Sequence, residues 1–161
     1  MKTFFSTSHC LIVQPDSWIT NPSKWSNDFL NYDYIGAPWP IPLLDRLMNK
    51  LIDNRGLDGR KLSFDCNLPT FNPNNYRVGN GGFSLRSMKL QKLLSKIGKK
   101  YQNTPEDNVI SIHAKEYLET NNIQFAPLDI AAQFAVEIPT ELNNRNIYDC
   151  FGFHNTQLPI L

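Results

Sequence analysis

Residues 10–17 read Cys10-Leu11-Ile12-Val13-Gln14-Pro15-Asp16-Ser17. A short unbroken apolar run closed by polar turn formers is the pattern of a buried strand running into a loop. Downstream, Tyr34-Ile35-Gly36-Ala37 predicts a second short strand, halted by Pro38, Pro40 and Pro42 because proline cannot donate to a ladder. From Pro42 the period changes. Leu43, Leu44, Leu47, Met48, Leu51 and Ile52 recur at three- and four-residue intervals, predicting an amphipathic helix that stops near Gly56. Residues 54–75 lack periodicity and read as a long loop.

Beyond that loop, Tyr76-Arg77-Val78 and Phe83-Ser84-Leu85 predict strands on either side of a glycine cluster. Ser87 stands where a helix cap belongs, ahead of Met88, Leu90, Leu93, Leu94 and Ile97. Thr104-Pro105-Glu106-Asp107 opens another helix, whose apolar face is Val109, Ile110, Ile112, Tyr117 and Leu118. A short helical piece is expected over Ile130 to Phe134, then a loop-rich ending at Phe151-Gly152-Phe153-His154. Short strands alternating with helices predict an α/β fold, a mixed sheet with flanking helices in one domain spanning 1–161. Ligands in such sheets sit at the C-terminal ends of strands, where Asp16 and the glycine cluster fall.

Bulk properties narrow the function classes. Sixteen basic residues against fifteen acidic ones leave a net charge of +1, too little for a broad field that holds nucleic acid or anionic membrane. Cys10, Cys66 and Cys150 are odd in number and form no C-x-x-C pair, which argues against a zinc site or a full disulfide framework. The apolar start is broken by Ser6, Thr7, Ser8 and His9, unlike a signal peptide, and no run reaches membrane-spanning length. A soluble, cytoplasmic setting is the expectation.

Four groups carry chemistry. Asp16, at the end of a buried strand, suits a hard divalent cation that also bridges two phosphates, and equally suits a turn cap after Pro15. Gly79-Asn80-Gly81-Gly82 lets a sugar or phosphate approach the backbone without Cβ interference, or forms a tight hairpin turn. Glu106 and Asp107, at a helix start, suit a general base for a hydroxyl, although the helix dipole favours acids there in any case. His154, beside a glycine and two aromatics, can ligate a metal through either ring nitrogen or serve the fold.

Taken together, Tyr32-Asp33-Tyr34-Ile35-Gly36-Ala37-Pro38-Trp39, Val78 to Ser87, Pro105-Glu106-Asp107, Phe125-Ala126-Pro127-Leu128 and Phe151-Gly152-Phe153-His154 resemble a glycosyltransferase-like domain family. That family is similar to the GT-A nucleotide-diphospho-sugar transferases. Their shared elements are an Asp-x-Asp metal motif, a glycine loop, an x-Glu-Asp motif and a C-terminal metal-binding histidine. The resemblance implies metal-assisted transfer of a sugar from a nucleotide-diphosphate donor to an acceptor hydroxyl. It implies Mn²⁺ or Mg²⁺ on Asp16 and His154, and Gly81 and Gly82 as the glycine loop beside Asn80. Asp107 becomes the base, and Glu106 a contact to acceptor or donor sugar. Trp39, Tyr76 and Phe83, near the glycine elements, are candidates either to stack on sugar faces or to serve as core residues.

Two departures qualify what the resemblance implies. Gln14 occupies the place of the first aspartate; its amide can bond a ribose hydroxyl but adds no charge to a cation. Only fifteen residues precede Asp16, whereas GT-A enzymes build their nucleotide pocket from a βαβ half ahead of the metal motif. The expectation is a domain lacking that half: truncated, completed by a second chain or by self-association, or reduced to an inactive carbohydrate-binding or regulatory subunit.

Overall fold

The computed structural model describes residues 6–40, 74, 76–138, 142 and 146–154. The helix expected from Pro42 to Gly56 lies outside them, as does the loop over 54–75 except Asn74. The fold is mixed α/β. Its strands are β1 (His9–Val13), β2 (Ser17–Ile19), β3 (Tyr34–Ile35), β4 (Pro38–Pro40), β5 (Tyr76–Val78), β6 (Phe83–Ser87), β7 (Ala135–Val136) and β8 (Gly152–His154). Among the described residues they form three small sheets in the orders β1-β6-β3, β2-β8-β7 and β4-β5. Pairing is antiparallel except between β7 and β8.

The expected strand at Cys10–Val13 is β1, paired with β6 in the register Leu11↔Leu85 and Val13↔Phe83, but it is a half-buried edge strand with Val13 exposed and not the buried strand its apolar run predicted. Two expectations at the glycine cluster are corrected. Its flanking strands do not pair with each other: β5 pairs with β4 and β6 with β1 and β3, so Gly79–Gly82 hands the chain from one sheet to another and is no hairpin. Nor do the prolines end the sheet structure after Ala37. Pro38 and Pro40 sit within β4, which among the described residues pairs only with β5, the edge position that proline tolerates.

Ser87 caps helix α1 (Met88–Ile97), its Oγ accepting from the Leu90 amide. The helix expected from Thr104 forms in three parts: α2 (Glu106–Asn108), a π-helical turn over Val109–His113, and α3 (Lys115–Thr120). The wider turn inserts extra backbone, so the face predicted from a uniform period slips. Val109, Ile110 and Leu118 are buried, but Ile112 and Tyr117 point outward. Pro105, with no side-chain cap, precedes the first helical residue in place of Thr104. Helix α4 (Leu128–Phe134) extends the expected piece, and the ending read as loop contains β8, the central strand of its sheet.

An aromatic cluster joins the two larger sheets. Phe134 packs its ring 5.3 Å from both Phe29 and Phe83 and 5.8 Å from Phe151. Burial of each such ring stabilises by about 1.5–3 kcal/mol. Gly152 lets β8 pass against Phe83, since a Cβ there would lie 2.2 Å from the Phe83 ring. That close crossing carries His154, two residues on, to the glycine turn. Phe83 is therefore core and offers no face to a ligand, the second of the two readings its sequence allowed.

Candidate functional site

The turn Gln14–Asp16 joins β1 to β2 and is bonded to the glycine turn. The Gln14 amide donates to the Gly82 carbonyl at 2.8 Å, and the Ser17 hydroxyl donates to the same oxygen at 2.9 Å. Ser17 faces His154 across the β2–β8 ladder, so the two halves of the site are registered by strand pairing. Asp16 Oδ1 then lies 3.2 Å from His154 Nε2. A Cβ on Gly82 would stand 2.3 Å from that same nitrogen and 2.7 Å from Gln14 Oε1, so any side chain there would displace the imidazole or the end of Gln14.

The other imidazole nitrogen is held as well. His154 Nδ1 lies 2.7 Å from Asn80 Nδ2 and 3.4 Å from Glu137 Oε1. Asn80 Oδ1 accepts from the Phe83 amide at 2.8 Å, which directs its Nδ2 toward the ring. Asn80 is fully buried with φ at 55°, a left-handed conformation that asparagine tolerates better than most residues. Burial alone works against a charged imidazole at His154. The Glu137 hydrogen bond and the charges of Glu137, Asp16 and Asp107 outweigh it and raise the His154 pKa above its ordinary value.

Glu137 was not singled out in the sequence. It follows Ala135-Val136, a strand that ends in a carboxylate just as β1 leads to Asp16, and that shared logic was the available signal. The Trp39 indole donates to Glu137 Oε2. Trp39 is only 4% exposed, and a Cβ on Gly79 would strike its ring at 2.1 Å. Of the two roles open to Trp39 in the sequence, a sugar-stacking face or a core side chain, the structure shows the buried one, with the indole supporting Glu137 from inside.

The acidic pair sits on the far side of the glycine turn. A Cβ on Gly81 would lie 3.1 Å from Asp107 Cβ and 3.2 Å from Arg86 Nη2. Asp107 accepts from the Asn108 amide at 2.8 Å. Glu106 turns away from Asp16 and His154, pairing with Arg86 Nη1 at 2.6 Å. The two ends of that pair differ: the Arg86 side chain is 2% exposed and the Glu106 side chain 59%. Arg86 is fixed from the buried side, donating to the Gly81 carbonyl at 3.1 Å and to Ser84 Oγ at 2.9 Å. Neither Arg86 nor Tyr34, which donates to the Gly79 and Asn80 carbonyls, was read from the sequence as part of the site.

Gln14, Asp16, Asn80, Gly81, Gly82, Asp107 and His154 thus surround one turn, with Trp39 behind it and Glu106 at its margin. Among the described residues no group of three or more His, Cys, Asp or Glu side chains is arranged to hold a metal. The donors facing each other are two, Asp16 Oδ1 and His154 Nε2. At 3.2 Å apart the two are close enough to serve one ion, and they would be the residues to hold a divalent cation that takes imidazole nitrogen as well as carboxylate oxygen. No helix among the described residues is long and apolar enough to cross a membrane.

No curated protein and no solved structure matches the chain. One family does: the sequence model of DUF5672, described as "Protein of unknown function", matches residues 1–154. The chain belongs to the DUF5672 family.

Proposed function

We propose that this chain works as a metal-assisted glycosyltransferase of GT-A type, moving a sugar from a nucleotide-diphosphate donor to an acceptor hydroxyl with inversion. The observation that carries the reading is the convergence of Asp16 and His154, 3.2 Å apart, on a glycine turn whose other side faces Asp107. Asp16 and His154 would hold Mn²⁺ or Mg²⁺, which would supply neutralising charge to the diphosphate leaving group.

The chain's own residues do the rest. Asp107 takes the proton from the acceptor hydroxyl as its oxygen attacks the anomeric carbon. The bond from that carbon to the phosphate oxygen breaks, and the diphosphate leaves with the electron pair. Gly81 and Gly82 keep the backbone bare where donor and acceptor meet. Gln14, exposed beside Asp16, offers its amide to a ribose hydroxyl. With the proton on His154 Nδ1, Glu137 accepts it and leaves Nε2 bare for an ion, the arrangement by which carboxylates orient metal-binding histidines; with Nδ1 bare, the Asn80 amide donates to it instead. Cys10 and Cys150 are free thiols, which supports a reducing, cytoplasmic setting.

The test is release of nucleoside diphosphate from a panel of nucleotide sugars with Mn²⁺, with and without sugar acceptors. Release that depends on the metal and on His154 supports transfer. Tight donor or sugar binding without release, with the same metal, would replace it by a binding or regulatory subunit.

A further inference from the structure

The net charge of +1 conceals an uneven layout. Between Arg86 and Glu106 the chain carries Lys89, Lys92, Lys96, Lys99 and Lys100 and no acid, while the other eleven of the sixteen basic residues stand against fifteen acidic ones. The structure puts the five lysines together. Lys89, Lys92 and Lys96 lie on α1, where 3.6 residues per turn place them within about 60° of arc. Lys99 and Lys100 follow on a 3-10 turn over Gly98–Tyr101 that carries on from the end of the helix. All five are exposed. The apolar side of α1 faces the core: Leu90 is buried, and Leu93, Leu94 and Ile97 pack against the main apolar cluster.

Helix stability does not account for this stripe. A solvated helix face ordinarily carries both signs, with acids three or four residues from its lysines. Helix α1 has none, and no acid stands in its first turn, where the dipole favours one and disfavours Lys89. Lys89 is held nearby, its Nζ lying 3.4 Å from Asp33 Oδ2 and donating to the Asn122 carbonyl. Among the described residues no carboxylate pairs with Lys92, Lys96, Lys99 or Lys100. Lys92 and Lys96 stand four residues apart and Lys96 and Lys99 three, spacings at which like charges repel. Such a row suits a counter-charge from outside the chain.

The make-up of the row says which polyanion fits. Lysine is a point charge on a flexible stem and lacks the planar fork that arginine brings to phosphates and base edges. Tyr101, the sole aromatic residue between Arg86 and Glu106, is already engaged: its ring stacks on His113 at 6.3 Å and lies 5.3 Å from Lys100 Nζ, so it offers no platform for a base. Nucleic acid therefore fits poorly. A bilayer with anionic headgroups asks only for several ammonium groups on one side of the protein, reaching into a diffuse layer of charge.

We infer that the lysine face of α1, extended by Lys99 and Lys100, docks this protein onto an anionic lipid bilayer of the kind a cytoplasmic leaflet presents. The inference does not rest on the glycosyl-transfer reading. Because the apolar side of α1 already faces the core, the contact is electrostatic and without insertion, and it weakens steeply with salt.

Co-sedimentation of the full chain with phosphatidylcholine vesicles, with and without about 30% phosphatidylserine, tests it. Binding is expected only with phosphatidylserine, and is expected to be lost as salt rises from about 0.05 M to about 0.5 M. Each lysine near such a surface strengthens binding roughly five-fold, so Lys92→Gln, Lys96→Gln and Lys99→Gln together should weaken it about 100-fold, with circular dichroism and melting as in the parent. Lys96→Gln alone should weaken it about five-fold, and gives the answer if the triple variant folds poorly. Absence of binding to the anionic vesicles, or binding that the lysine changes leave intact, overturns the docking surface. Tighter binding through the same lysines to a single-stranded oligonucleotide than to the vesicles would also overturn it, in favour of nucleic acid.

Discussion

Asp16 Oδ1 and His154 Nε2 stand 3.2 Å apart although they come from opposite ends of the described chain. Two local features bring them there. Ser17 pairs with His154 across the β2–β8 ladder, and Gly152 lets β8 run against Phe83, so the position of the imidazole is an outcome of packing in the aromatic cluster. Disturbing the core near Phe83 should therefore be felt at the site.

The electrostatics of this pair predict a pH dependence with a definite sign. The folded state favours the charged His154 ring, so its contribution to stability is fully present below the ordinary imidazole value of about 6.5. It is lost as pH rises through the higher folded value. Divalent-cation affinity should run the other way, since an ion needs the unprotonated Nε2. Urea unfolding of parent and His154→Gln at pH 5.5 and pH 8.5 measures the first effect. A parent advantage that grows with pH would reverse the assignment.

Two glycines predict losses of different size for the same added methyl group. In Gly82→Ala the new Cβ meets the tip of the His154 ring and the end of Gln14, side-chain atoms that can swing aside. The expected cost is about 1 kcal/mol of stability, with divalent affinity down roughly 10–100-fold. In Gly36→Ala the Cβ meets the backbone oxygens of Gly79 and Asn80, which cannot yield without unseating the turn, and about 3 kcal/mol or more is expected. Thermal melts and Mn²⁺ titration of both variants separate the cases; equal stability losses would mean the turn is softer than described.

Much of this was legible in the sequence because it depended on short-range pattern. The strand at β1, the Ser87 cap and the bare glycines follow from apolar runs, cap chemistry and the absence of a Cβ. What was hidden depended on partners far along the chain. The Asn-Gly step signals a hairpin only if its flanking strands pair with each other, and here β4 and β1 take them instead. The sequence likewise cannot say that Trp39 turns inward, because that follows from the fit of its ring over Gly79 and the Glu137 acceptor. The π-helical turn put Ile112 and Tyr117 outside the face they were expected to share with Leu118, without leaving any periodic mark.

Arg86 and Glu106 form one ion pair whose halves should not be equivalent. Arg86→Met removes donors to the Gly81 carbonyl and Ser84 as well as the charge, within a fully buried setting, and should cost about 3 kcal/mol. Glu106→Gln acts at an exposed side chain, where solvent screens the charge and the amide oxygen can still accept, so less than about 1 kcal/mol is expected. Chemical denaturation of the two variants is the measurement. Comparable losses would mean that the pair itself, and not the backbone bond to Gly81, is what holds the turn.

The thiols give an independent check on burial. Desolvation pushes Cys150 up to about 11, and its sulfur donates to the Ile147 and Gly152 carbonyls, so the nucleophilic thiolate is scarce at neutral pH. Cys10 is half-buried at the sheet edge. Iodoacetamide at pH 7.5, read by peptide mass spectrometry, should label Cys10 well ahead of Cys150; the reverse order would contradict the packing of β8.

Asp107→Asn is the variant that tests the chemistry with least disturbance to the fold. The side chain keeps its shape, and the amide oxygen can go on accepting from the Asn108 backbone, so stability should change by no more than a few tenths of a kcal/mol. What is lost is the ability to take a proton. A positioned general base contributes about 10²–10⁴-fold, and transfer under single-turnover conditions should fall by that factor while Mn²⁺ and donor still bind. Asp107 also acts on His154 through its charge, so the His154 pKa should drop in the same variant and divalent affinity at pH 7 should hold or rise. A slow enzyme that has kept its cation binding marks Asp107 as the base. Transfer at the parental rate would move that role to another group, and joint loss of transfer and cation binding would make Asp107 part of the metal setting instead.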